Sequence, residues 1–262
     1  MAPLLTMERR DAHPPTADRV AGPEKAGRRP VPRRAAGGPL LSVAELGGIV
    51  ALTLRVAAVA TAAAFLPALA LGWWLARRDP PARPLWQTLI ALPMVLPPVA
   101  IGLLLLLLLG RRGPLAPLWD ALGIEVVFTW WAAAVAAAVV GFPLLVRGCE
   151  QAFAEVSPRY DAVAGSLGLP PLRAFLRVTL PLARRGVLYA TLLAFTRALG
   201  EFGATALVAG ILPGRTETLA LGIWARVQAG DDRAALLLCG VSFALALAAM
   251  LLAEGWLRRR RS

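Results

Sequence analysis

The chain has 262 residues, of which 58% are hydrophobic, and a formal net charge of +12. Soluble domains are roughly 45–50% apolar, and here the excess is gathered in long uncharged runs, which reads as a membrane protein. The arginines lie mostly between those runs, so they mark cytoplasmic loops rather than a nucleic-acid surface. Two cysteines, Cys149 and Cys239, and a lone histidine, His13, offer no disulfide framework, no metal site and no histidine-based catalysis within the membrane.

Residues 1–41 are rich in proline, alanine, glycine and arginine without apolar periodicity, so a disordered basic tail is expected there. No apolar run follows a short basic start, unlike a secretory signal. Five runs follow: Val56 to Leu75 with Pro67; Leu85 to Gly110 with Pro93, Pro97 and Pro98; Val126 to Val146 with Pro143; Gly186 to Gly214 carrying Arg197 and Glu201; and Ala234 to Ala253. About 20 helical residues cross a hydrocarbon core of roughly 30 Å, so each run predicts one span. Ser42 to Arg55 either extends the first helix outward or lies at the interface.

Short loops set the orientation. Arg77, Arg78 and Arg83 lie in the first loop, Arg147, Arg159, Arg173, Arg177, Arg184 and Arg185 between the third and fourth spans, and Arg258 to Arg261 at the end of the chain. The positive-inside rule therefore places these regions, including a basic tail over 258–262, in the cytoplasm and the start of the first span outside. The basic residues of the N-terminal tail run against this assignment. No G-x-x-x-x-G-K-[ST] phosphate loop occurs, so any ATP that drives the protein binds another chain.

Three places carry chemistry. In the third-to-fourth loop, Ser157 can cap a helix whose first residue is Pro158. Tyr160, Ala164 and Leu167 share a face at helical spacing, Gly168 can end the helix, and Pro170 and Pro171 forbid its continuation. A short surface helix of this kind suits a partner's groove. In the fourth run, Arg197 and Glu201 are four apart and so share a helix face. Charges within a span usually face the bundle interior or a water-filled path, and these two satisfy each other, which predicts a structural ion pair rather than a substrate site. Gly200, Gly203, Ala204 and Gly210 allow close helix approach there. In the second run, Pro93, Pro97 and Pro98 remove backbone hydrogen bonds. Broken backbone at membrane depth is tolerated where it lines a cavity or is buried in protein, so the segment is either a pore-lining element or a plain kink.

The 161–210 stretch resembles the cytoplasmic EAA loop of ABC-importer permeases. The apolar triplet Ala162-Val163-Ala164 precedes Gly168 by four residues, and nine residues later comes Val178-Thr179-Leu180-Pro181. The motif's first glutamate is here Ala162, with Asp161 one position earlier; docking geometry depends on the helix and its glycine. Further stretches, 92–113, 129–147, 196–205 and 211–224, are similar to the molybdate permeases, with sulfate and tungstate permeases as near relatives. The likeness covers roughly residues 43 to 257. It implies an all-α membrane protein of the type I importer fold, with about five transmembrane helices and a cytoplasmic coupling helix, in a bacterial plasma (inner) membrane. It further implies a homodimer in the lipid membrane, two copies of an ATPase subunit, and an extracytoplasmic oxyanion-binding protein that carries much of the selectivity. It assigns coupling to the ATPase to Asp161, Ala162, Ala164, Gly168, Leu180 and Pro181; the candidate pore-lining positions, from the broken backbone and small residues read above, are Pro93, Pro97, Pro98 and Gly203. The chain itself is then no catalyst and binds no cofactor or metal, with ATP held by the partner. Two other classes fit less well. An intramembrane enzyme needs a nucleophile and base converging within the spans, and a secondary transporter usually shows internal repeats and midplane ion-binding residues.

Overall fold

Helices run wherever the sequence offers apolar stretches free of charge, and among the residues that the computed structural model describes, 41–78 and 80–258, there is no strand. All of these lie in one of the chain's two compact units, residues 36–262. The expected N-terminal tail falls outside the described residues but for its last position, as does the 258–262 tail but for its first.

The elements are α1 (Val43–Arg78), α2 (Arg83–Val95), α3 (Pro98–Leu109), α4 (Ala116–Leu122), α5 (Trp130–Ala154), α6 (Pro158–Ser166), α7 (Pro171–Ala174), α8 (Leu180–Leu199), α9 (Gly203–Val208), α10 (Leu219–Ala229) and α11 (Asp232–Arg258). Four helical stretches are long and apolar enough to cross a membrane: α1, α5, residues 171–199, and α11. The pair α2 and α3 makes a fifth candidate, bent by 100° at its break.

Two expected spans change shape. The 85–110 run is not one helix, because Pro97 and Pro98 deny donors to the preceding turn, and Leu96 takes an extended conformation between α2 and α3. The fourth span begins some fifteen residues before Gly186 and ends at Leu199 rather than Gly214. Pro181 does not stop it. A π-helical turn over Phe175–Thr179 joins α7 to α8, and the Leu180 N–H reaches the Phe175 carbonyl five residues back. Such a turn reroutes backbone bonds around a residue that cannot donate.

The first helix is continuous from Val43, so Ser42 to Arg55 extends it outward. The Arg55 guanidinium lies 3.8 Å over the Trp130 ring, which stacks on Trp131. At the far end stand Trp73, Trp74, Arg77 and Arg78. Tryptophans gather at membrane interfaces, and residues 56–76 rise about 30 Å between these two levels, which matches the hydrocarbon core. The first three turns of α1 thus outrun the bilayer by about 18 Å. There Ile49 packs on Leu219 of α10 and Leu238 of α11, and Thr53 Oγ1 accepts the Leu219 N–H at 2.9 Å.

The centre is α5 between α1 and α8. Gly148 faces Ala190 and Gly186 faces Ala152, so the helices run antiparallel with each Gly-x-x-x-Ala pattern meeting the other. A Cβ at Gly148 would lie 2.4 Å from Ala190 Cβ, and one at Gly186 2.5 Å from Ala152 Cβ. Small residues let helix backbones approach where lipid supplies no hydrophobic drive.

Candidate functional site

The first candidate is the α6 loop. Ser157 Oγ accepts from the Arg159 N–H at 3.4 Å, and Pro158 takes the first helical position. Gly168, at φ 78°, makes the left-handed turn that follows α6, a conformation costly for any side chain. The face drawn from sequence divides. Tyr160, Val163 and Leu167 are exposed, as is Ala162, whereas Ala164 is buried. The helix therefore rests on Ala164 and offers an apolar outer surface.

Asp161 turns inward. One carboxylate oxygen accepts the Thr179 hydroxyl and the other lies 3.3 Å from Arg77 Nε, whose side chain is 9% exposed. Thr179 opens the route into α8, and Arg77 ends α1. Asp161 thus ties α6 to two spans of its own chain. Leu180 is partly buried against the inner core, and Pro181 is exposed.

A second polar centre at the same end escaped the sequence reading. Glu150 of α5 is buried, with Oε1 accepting from Arg83 Nη2 at 3.0 Å and Gln87 Nε2 at 2.8 Å, and Oε2 from Arg147 Nη1 at 3.0 Å. It ties the first turns of α2 to α5. Its sequence signals are an acidic residue in the last turns of a largely apolar span and Arg147 three positions before it on the same helix face.

The third candidate lies deeper. Arg197 Nη1 is 2.9 Å from Glu201 Oε2, and Glu201 Oε1 accepts the Ala204 N–H at 3.0 Å. Arg197 closes α8, while Glu201 sits beyond the helix end and ahead of α9, so the two share a turn rather than a continuous helix. The Gly141–Ala194 and Gly148–Ala190 contacts set the depth of Arg197 at about 15 Å below the Trp130 level. The Pro residues of the second run meet this place, because a Cβ at Gly203 would lie 2.8 Å from Pro98 Cβ. Pro97 and Pro98 are exposed, and Pro93 and Gly203 partly so. Among the described residues no group of histidine, cysteine, aspartate and glutamate is arranged to hold a metal ion.

Residues 68–262 match the model of the family described as binding-protein-dependent transport system inner membrane component. The chain belongs to that family. It is accordingly a transport permease subunit of the inner membrane. It is 39% identical over 212 residues to the molybdenum transport system permease protein ModB of Escherichia coli K12, covering 80% of this permease and 92% of that protein. With ModB of Haemophilus influenzae it shares 37% over 195 residues, 74% of this chain and 85% of the other. The sulfate transport system permease protein CysW of Synechococcus elongatus is 36% identical over 170 residues, 65% and 59% of the two chains. A chain of the MetNI methionine ABC transporter superposes with a TM-score of 0.62 at 17% identity, covering 84% of the permease and 99% of that chain. A bacterial alginate importer chain gives 0.61 at 16%, covering 84% and 80%. The fold is that of the ABC importer permeases.

Proposed function

We propose that this permease forms the translocation path of an ATP-driven importer for molybdate. The observation that supports this most is the 39% identity to a molybdenum permease over 92% of that protein's length. In this reading two copies of the chain enclose the path, two ATPase subunits bind on the cytoplasmic side, and an extracytoplasmic protein delivers the oxyanion. Residues 43–257 are the working domain. The end of the bundle with Trp73, Arg77 and α6 faces the cytoplasm, and the Trp130 end faces outward.

The exposed face of α6, bearing Tyr160, Val163 and Leu167, enters the ATPase groove. Asp161 holds α6 to Arg77 and Thr179, so displacement of α6 pulls on α1 and α8 together. Ala162 and Ala164 keep the helix slim, Gly168 turns the chain back, and Leu180 and Pro181 anchor its return into the membrane. The conformational equilibrium moves only as far as the nucleotide-dependent ATPase states bind α6 differently.

Reconstituted with its ATPase and binding protein, the permease is expected to take up molybdate only with ATP inside, with tungstate competing and sulfate competing less. Uptake driven by an ion gradient without ATP would refute the reading, and preferential sulfate uptake would transfer it to the sulfate permeases, to which CysW belongs. Gly168→Val is expected to leave the protein in the membrane while ATP hydrolysis no longer drives uptake. Labelling of a cysteine placed at Ser262 by an impermeant reagent in intact cells would reverse the orientation.

A further inference from the structure

We infer that Arg197 is the residue that contacts the oxyanion inside the translocation path, and that Glu201 is a positioning residue that aims it. The inference rests on the proposed oxyanion transport and adds a site to it.

The two members of the pair differ in exposure. Glu201 has 3% of its side chain exposed, and both of its oxygens are occupied, one by Arg197 and one by the Ala204 N–H. Arg197 has 39% of its side chain exposed and gives one Nη to that contact. A guanidinium carries five N–H donors in a fixed fork. At about 15 Å below the Trp130 level, those that face outward from the protein meet lipid, a partner chain or water. Lipid is excluded by cost.

The backbone also excludes lipid, on grounds separate from the charge, and leaves water or the second copy across a shared path. Gly200 is exposed where α8 ends, and a Cβ built on it would meet nothing within 4 Å. The last carbonyls of a helix lack donors within the helix. The second break, at Leu96 and Pro97, lies at the same depth, because Pro98 packs on Gly203. Irregular backbone at membrane depth does not face lipid; it is buried in protein or lines water. Here two breaks and an arginine with 39% of its side chain exposed lie at one depth.

The chemistry fits a tetrahedral dianion. Glu201 holds one edge of the guanidinium and leaves the rest to form paired N–H···O bonds, which suit the edge of an oxyanion better than a point charge does. Glu201 also offsets the arginine's charge, so the site attracts an anion without retaining it. A path needs binding strong enough for entry and weak enough for release.

The test uses the complete complex of permease, ATPase and binding protein in proteoliposomes, with molybdate, tungstate and sulfate as probes. Arg197→Gln is expected to raise the KM for molybdate about tenfold or more, the loss of a hydrogen bond to a charged group. Arg197→Lys should recover part of this, and Glu201→Gln should change KM less than Arg197→Gln does. Arg197→Cys, in a Cys239→Ser background, should react with a water-soluble cationic thiol reagent in the assembled complex, more slowly with molybdate present. Wild-type uptake kinetics in Arg197→Gln, or no reaction of the cysteine in an assembled complex, would overturn the inference. If Arg197→Gln does not assemble, the labelling result and the Arg197→Lys kinetics decide in the same directions. A wild-type complex that transports none of the three anions would instead refute the proposed function.

Discussion

The α5–α8 pair and the α3–α9 pair both meet through glycine, but they differ in what stands around the contact. α5 and α8 are long, unbroken where they touch, and antiparallel, and Gly148 and Gly186 repeat the contact one turn apart. α3 and α9 are half-helices that run parallel, and each begins just after a break, at Leu96–Pro97 and Gly200–Phe202. In α3–α9, Gly203 lies on Pro98 and Gly102 on Ala204. The same small-residue device joins continuous helices into one frame and joins two half-helices, each preceded by irregular backbone, into a second unit. The frame ends in the polar ties at Asp161 and Glu150 on one side, and the Arg197–Glu201 pair stands where the frame's α8 gives way to the α3–α9 unit.

Replacing glycine in each pair is the strongest way to break the comparison. Gly148→Leu drives a side chain into the Ala190 backbone, whose Cα already lies 3.2 Å from an added Cβ. It is expected to cost about 3 kcal/mol or more and to abolish recovery of a monodisperse protein in detergent. Gly203→Leu presses on the Pro98 ring of a tethered half-helix, so it should still fold but lose uptake. Equal folding defects in the two variants would mean that both pairs belong to one rigid core.

Glu150→Ala tests the polar ties of the frame. It removes the acceptor for Arg83, Gln87 and Arg147. Arg83 and Arg147 keep 37% and 43% exposure, so water takes up part of the loss. A fall of about 1–2 kcal/mol, read as a lower thermal midpoint, is expected, with Glu150→Gln between it and the wild type. Pro97→Ala restores a donor at the break and should change stability by about 1 kcal/mol or less, while its uptake rate falls by a larger factor than that energy implies. A rate that merely follows stability would make the break a plain kink. At the bottom of the scale, Arg111 and Glu125 pair on the surface with 84% and 71% of their side chains exposed. Arg111→Ala should leave the melting midpoint unchanged, as exposed pairs contribute little.

The spans were legible because hydropathy reports length, and length is what a bilayer demands. Direction is another matter. A run such as Leu85 to Gly110 has the same composition whether its helix is straight or bent through 100°, and only the positions of Pro97 and Pro98 hinted at the break. Arg184 and Arg185 misplaced the fourth boundary, because the helix runs on through them and, by a π-helical turn, past Pro181 as well. The pairing of Arg197 with Glu201 follows from their spacing and survives the end of α8, since the Glu201 N–H still bonds to the Ala198 carbonyl at 3.3 Å. Their unequal exposure had no local signal. Glu150 and Arg83 are 67 positions apart, and Asp161 and Arg77 belong to different helices. Pairings of that kind come from how spans are laid side by side, which no window along the chain contains.

The reciprocal glycine–alanine contact also fixes an angle. Between Ala190, locked against Gly148, and Arg197 lies an uninterrupted stretch of α8. Every residue of a helix turns the next by about 100°, so the heading of the guanidinium is set by a count of residues, like the phase of a screw thread. One residue inserted between them would leave the locked contact untouched, advance Arg197 by about 1.5 Å and swing it through more than a quarter turn. Substitutions in this stretch can be gradual in effect, whereas insertions and deletions are all or nothing.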